Sequence, residues 1–217
     1  MDEYNKLQVI DDSTRSDCYY LDSSDDCYYF GIYTAKKGYN YSEINQLISN
    51  LKKSMDRRSK PEWKYKENAI DRCIHLVANA LENTISGKYL IVPVPPSKAK
   101  NDALYDDRML RIASQAIALA QKQDNFEAVE LVEQISSRDA SHISNDRRPD
   151  VEELQKNYRL TGKIADDISG IIILDDVLTT GCHFKAIKSI ICEKYPNIYV
   201  CGLFIAKTRH ILDFEYP

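Results

Sequence analysis

The sequence predicts an α/β fold, a mostly parallel sheet with helices on both faces, and three observations carry that expectation. Short unbroken apolar runs, "KYLIVPVPP" at 88–96 and "GIIIL" at 170–174, read as buried strands. Around them lie stretches whose apolar residues recur three and four apart, the spacing of one helix face. The two kinds of segment alternate along the chain rather than clustering by type.

The 217 residues, 43% hydrophobic and 29% charged, suffice for one substantial core and exclude a disordered chain. A net charge of −4 gives no overall drive toward nucleic acid or acidic membranes, so any such partner needs a local patch. Cys18, Cys27, Cys73, Cys182, Cys192 and Cys201 are scattered without a zinc-ligand spacing, as expected of reduced, mostly buried thiols. No apolar run approaches the ~20 residues of a bilayer span. The acidic, polar "MDEYNKLQV" does not resemble a secretory leader, and the expected location is the cytoplasm.

Residues 1–16 are polar and read as a flexible amino terminus. "DCYYLD" (17–22) and "DCYYFG" (26–31), separated by a Ser/Asp turn, predict a small antiparallel hairpin reaching about Thr34. Ser42 caps a helix with apolar Ile44, Leu47, Ile48 and Leu51. Residues 17–60 thus read as an appendage to a core spanning 61–217. After Pro61 a helical pattern runs through Ile70, Ile74, Val77, Leu81 and Ile85 to Gly87. The strand 88–96 ends in prolines, and Met109, Ile112, Ala113, Ala116, Ile117 and Ala120 mark the next helix face. "EAVELVEQI" (127–135) reads as a strand, although its glutamates also permit a helix. Residues 136–169 lack periodicity and read as a mobile functional loop. "GIIIL" is the next strand, followed by a helix from about Gly181 to Tyr195 and a last strand, "IYVCGLFIA" (198–206). The segments after Val94, Ile135 and Leu174 are expected side by side along one rim, where ligands bind in parallel sheets.

The chemistry concentrates in "IIILDDVLTTGCHF" (171–184). Asp175 and Asp176 leave a buried strand together and repel each other, so a polyol's hydroxyls or a nearby magnesium ion would favour their charged forms. Leu178, Thr179, Thr180 and Gly181 then place hydroxyls and backbone N–H groups at a helix amino terminus, which attracts phosphate. Sugar-binding acids followed by a phosphate cradle describe a sugar phosphate lying across the loop. The plain alternative is a helix cap and a stabilised turn.

This segment resembles the signature of type I phosphoribosyltransferases, which bind phosphoribosyl pyrophosphate. The resemblance implies a doubly wound, mostly parallel sheet with helices on both faces and a mobile hood, here about 136–169. It gives Asp175 and Asp176 the ribose hydroxyls, as the residues closest to catalysis, and Leu178, Thr179, Thr180, Gly181, Cys182 and His183 the 5′-phosphate. His183 stands where the family usually has Thr or Ser. "VPVPPSKAK" (92–100) resembles the family's pyrophosphate loop, which makes Pro95, Pro96, Ser97, Lys98 and Lys100 diphosphate-binding candidates. "NDALYDDRM" (101–109) is similar to the matching segment of bacterial phosphoribosyltransferase-like proteins related to those associated with competence. Arg138, Arg147 and Arg148 of the hood are candidates to close over the leaving pyrophosphate. A solvated surface is the alternative for these lysines and arginines. Mg2+ is the implied cofactor, carried by the diphosphate and not held directly by protein ligands.

The acceptor base is not legible. Lys207 is a weak base-binding candidate and Phe214 or Tyr216 a stacking one, but all three equally suit covering the core edge. Two further readings stay open: a subunit of this fold that senses a nucleotide or sugar diphosphate without turnover, and a component of a nucleoprotein assembly such as a bacterial defence complex. The latter rests on residues 52–66, with seven basic residues against two acidic ones, interleaved with Trp63 and Tyr65 in the manner of a single-strand binder. A solvated helix end is the bland version. Tyr28, Tyr29, Tyr33, Tyr39 and Tyr41 around the expected hairpin suit either a homo-oligomer or partner surface or packing on the core.

Overall fold

Proline placement and aliphatic runs set the architecture in the computed structural model, which describes residues 6–82, 87–137 and 149–210. The strands are β1 (Gln8–Val9), β2 (Cys27–Thr34), β3 (Lys88–Pro93), β4 (Phe126–Ala128), β5 (Val132–Gln134), β6 (Tyr158–Leu160), β7 (Ile168–Leu178) and β8 (Tyr199–Arg209). The helices are α1 (Glu43–Leu51), α2 (Trp63–Glu82), α3 (Arg108–Leu119), α4 (Val151–Asn157) and α5 (Cys182–Lys194). Six strands form one sheet in the order β1-β2-β8-β7-β3-β4, parallel throughout except where β1 meets β2. β5 and β6 form a separate antiparallel pair. The molecule is therefore α/β, with a mostly parallel sheet flanked by helices, compatible with a doubly wound fold.

Side chains from the sheet divide between two layers, as expected when both faces are covered. Ile172 and Leu174 of β7 join α1, α2 and α3 in one core, beside Ile70, Val77, Ile112 and Leu203. Ile171 and Ile173 join α5 in the other, with Phe184, Ile187, Ile191 and Phe204. α3, which follows β3, and α5, which follows β7, thus cover opposite faces. The crevice between β3 and β7 is the topological switch point, where a parallel sheet opens beyond its carboxyl ends.

Local chemistry explains several junctions. The Ser42 hydroxyl accepts from the Asn45 amide at 3.0 Å and starts α1. The buried Asn45 side chain then closes two hydrogen bonds on the Thr34 backbone, both 3.0 Å, and ties α1 to the end of β2. A capping box between Asp150 and Glu153 starts α4.

The amino-terminal half departs from the sequence expectation. The hairpin expected over 17–34 does not form, because 17–22 is a turn segment and the antiparallel partner of β2 is Gln8–Val9. β2 is a full member of the main sheet, parallel to β8, and α1 packs into the same core as α2 and α3. Ordered contacts begin well before residue 17, and Ile10 is buried. Tyr29 is buried too, whereas Tyr39 and Tyr41 are exposed. The strand expected over 127–135 splits into β4, which extends the sheet, and β5, which leaves it to pair with β6. The expected hood contributes α4 and β6. Arg138, Arg147, Arg148, Phe214, Tyr216 and the helix end at Ile85 lie outside the described residues. No helix among the described residues is long and apolar enough to cross a membrane.

Candidate functional site

β3 stops short of β7, and that difference opens the site. After a register shift between Lys88 and Tyr89, the two run in step from Tyr89 and Gly170 to Pro93 and Leu174, with a last link from the Val94 amide to the Leu174 carbonyl at 2.9 Å. Pro95 and Pro96 have no N–H to continue the ladder, and the chain turns away. β7 continues alone on that side while pairing with β8 as far as Leu178. Asp175 and Asp176 are the first residues past the point where β3 departs.

A pocket of about 270 Å3 occupies the gap. Its walls bring together Asp175 and Asp176 from the end of β7, Thr179 from the turn after it, His183 from the start of α5, the 93–100 loop after β3, and Glu130, Glu133 and Gln134 after β4. The segments after Val94 and Leu174 share it as expected, whereas the third wall comes from residues 130–134 and not from the segment after Ile135. Pro95, Pro96, Ser97, Lys98 and Lys100 all line the pocket. Leu178, Thr180, Gly181 and Cys182 form the turn behind Thr179 and are buried. Gly181 has φ +85°, and its α-carbon packs so closely on Leu21 that a Cβ there would lie 2.7 Å from that side chain. The turn is thereby pressed between the 18–21 segment and α5, whose first amides have no partner within the helix. The Tyr158 hydroxyl meets His183 Nδ1 at 2.6 Å, so β6 steadies the ring that borders the pocket.

The two aspartates occupy unequal environments. Asp175 is partly exposed at the pocket wall and is in register with Phe204, which belongs to the α5 layer. Burial, reinforced by the charge of Asp176, raises its pKa to about 7. Asp176 is buried and turns toward the α1–α3 layer, where Arg108 Nη2 lies 2.5 Å from Oδ2 and Lys52 Nζ 3.0 Å from Oδ1. Burial works against its charge, but Lys52 and Arg108 outweigh it and hold the carboxyl below its usual range. As a coupled pair they hold one ionised and one proton-bearing carboxyl at pH values below about 7.

Behind Asp176 runs a chain of charges that the motif alone does not reveal. Arg108 also donates to Asp106 at 2.6 Å, and Asp106 accepts from Lys66 at 2.6 Å. Lys66 is fully buried and donates to the carbonyls of Leu51 and Lys53, each at 2.8 Å. Sequence reasoning passed over Arg108 and Asp106, although "DDRM" places a cation and acids at the start of a helix facing the diacid strand. Lys66 carried a readable signal: it sits four residues before Ile70 and eight before Ile74, on the apolar stripe of α2.

The lining lysines of the 93–100 loop already have acidic partners. Lys100 Nζ lies 2.7 Å from Glu130, which also accepts from Tyr105 at 2.6 Å, and Lys98 lies 3.7 Å from Asp102. Lys207 does not reach the pocket. It is buried at the end of β8 and pairs with Asp17 at 3.1 Å, so its placement is that of a core-edge cation. In the basic segment 52–66, Lys66 is withdrawn into the interior and Trp63 donates to Glu67 at 3.0 Å. Arg57, Arg58, Lys60 and Lys64 remain exposed there. Among the described residues no group of three or more His, Cys, Asp or Glu side chains is placed to hold a metal ion.

No family model matches the chain, and no curated protein matches it.

Proposed function

We propose that this pocket binds phosphoribosyl pyrophosphate together with Mg2+ and transfers the phosphoribosyl group to a nitrogenous acceptor, releasing pyrophosphate. The observation that carries the reading is the sharing of one pocket by the aspartate pair, the turn at a helix amino terminus and the proline-ended loop after β3. Diol, 5-phosphate and diphosphate need those three surfaces in that proximity. The donor set suits an ion that arrives on the diphosphate, since Asp176 is already neutralised and the wall offers no larger cluster of metal ligands among the described residues. When bound, Mg2+ would offset the negative charge of the leaving diphosphate.

In this reading Asp175 accepts from a ribose hydroxyl and gives up its proton as it does so. Asp176 is kept ionised by Arg108 and Lys52 and holds the second hydroxyl through its remaining lone pairs. Thr179 and the following turn anchor the 5-phosphate. Loss of diphosphate breaks the bond from the anomeric carbon to oxygen, and the acceptor's nitrogen lone pair forms the new bond to that carbon. The displaced acceptor proton leaves with solvent or diphosphate. The intervening state resembles an oxocarbenium ion, and its charge is complementary to the carboxylates of the pocket.

Binding without turnover is a second reading, favoured by the ion pairs that already engage both oxygens of Asp176 and both loop lysines. A sensor of sugar diphosphate needs that site but no acceptor. Titration calorimetry with phosphoribosyl pyrophosphate and Mg2+ tests binding, with micromolar affinity expected. Pyrophosphate release across a panel of purine and pyrimidine bases then separates enzyme from sensor. No heat of binding at any Mg2+ concentration would refute both.

A further inference from the structure

One rim cation of the site comes from outside the signature region. Four basic side chains line the pocket: Lys52, Lys98, Lys100 and Arg108. Arg108 is locked between Asp106 and Asp176. Lys98 and Lys100 sit on the loop beside Asp102 and Glu130. Lys52 differs, because its side chain is 46% exposed on the rim while its ammonium reaches the buried Asp176. Its backbone is not free to wander. Lys66 grips the carbonyls on either side of it, those of Leu51 and Lys53, and is itself anchored to Asp106. A long flexible side chain on a pinned backbone can exchange a carboxylate for a ligand's oxygens without moving the fold.

We infer that Lys52 is a ligand-binding residue of this pocket, which leaves or shares Asp176 to contact the diphosphate of the bound sugar, with Lys66 as its positioning residue. The inference rests on the proposed function and adds the segment between α1 and α2 to the site. It also gives part of the basic run at 52–66 a local role. The ion pair with Asp176 then acts as a placeholder: in the unliganded pocket Lys52 offsets the buried carboxylate, and on binding the incoming anion takes up the ammonium. The Arg108 contact at 2.5 Å keeps Asp176 ionised throughout.

The test compares wild type with Lys52→Ala, Lys52→Arg and, as a control of the general field, Arg58→Ala/Lys60→Ala. Affinity for phosphoribosyl pyrophosphate and for inorganic pyrophosphate, each with Mg2+, is read by calorimetry, alongside the melting temperature of every variant. Lys52→Ala is expected to weaken both ligands about ten- to hundredfold, the loss of one charge-assisted contact. Lys52→Arg should recover most of that loss, and the exposed double variant should stay within about twofold at moderate salt. Lys66→Met, measured at a temperature where it remains folded, should weaken the same ligands. Wild-type binding with Lys52→Ala within twofold overturns this inference alone. Absence of wild-type binding overturns the functional reading and this inference with it.

Discussion

Arg108 and Asp176 meet at 2.5 Å across 68 residues of sequence, and this contact makes the second acid of the pair a structural residue as well as a candidate ligand-binding one. Taken from the motif alone, the two acids look interchangeable. Their surroundings make them different tools.

Asp176→Ala should therefore unfold the protein far more readily than Asp175→Ala. Removing Asp176 leaves a buried guanidinium with Asp106 as its one acidic partner among the described residues, a change expected to destabilise by about 3–5 kcal/mol. Asp175 has a raised pKa and, among the described residues, accepts only the Asp176 amide at 2.8 Å, so its removal should cost about 1 kcal/mol. Urea denaturation of both variants measures the gap. Equal losses would count against the division of roles. Ligand affinity should fall in Asp175→Asn with the fold intact.

The raised pKa of Asp175 carries a pH signature. Its carboxyl keeps a proton in the folded state that the unfolded chain has lost above about pH 4, so this group makes stability fall as pH rises toward about 7. Asp175→Asn abolishes that slope, and the stability of the variant relative to wild type should grow between pH 5 and 8. A hydroxyl donated to the carboxylate favours the ionised form, so binding near pH 6 should release up to about one proton and near pH 8 almost none. Calorimetry in two buffers of different ionisation enthalpy counts it, and zero release at pH 6 would exclude the sugar from Asp175.

Lys66→Met should lower stability by about 3 kcal/mol, because Asp106 and the carbonyls of Leu51 and Lys53 lose their shared donor inside the protein. The loss should be cooperative in thermal melts. A change below about 0.5 kcal/mol would mean that water replaces the ammonium.

Gly181→Ala combines left-handed backbone with a contact of 2.7 Å to Leu21, and should destabilise by about 1–3 kcal/mol while weakening phosphate binding. Leu21→Ala in the same chain should recover only the steric share, leaving a non-additive cycle. Full recovery would show that the backbone at 181 is unstrained.

Thiol labelling should be slow at five of the six cysteines. Burial raises Cys18 and Cys201 to about 11 and Cys27 and Cys73 further still, and Cys182 is buried. Cys192 is the partly exposed exception. Mass spectrometry after brief iodoacetamide treatment at pH 8 should find one modified site in the native protein.

The parts of the fold legible in the sequence are those written in local pattern. Four aliphatic residues before the acids could only be a covered strand, and Pro95-Pro96 could only end one. Both readings hold, and together they place the pocket. The parts missed were set by partners distant in the chain. "DCYYLD" and "DCYYFG" have nearly the same strand propensity, yet Cys18 packs inward from a turn while Cys27 opens β2, because only the second can lie beside β8. The occupancy of Asp176 was hidden for the same reason, since Lys52 reaches it from just past α1 and Arg108 from the start of α3.

The hydrogen bonding of residues 27–34 to residues 202–209 also governs the order in which the protein can be completed. A chain emerging amino terminus first exposes the flank of an early apolar strand, with Tyr29 and Phe30, until residues 202–209 have left the ribosome. Premature termination before Tyr199 would unclothe two strands at once, β2 and β7, and such fragments should aggregate rather than survive as half-proteins.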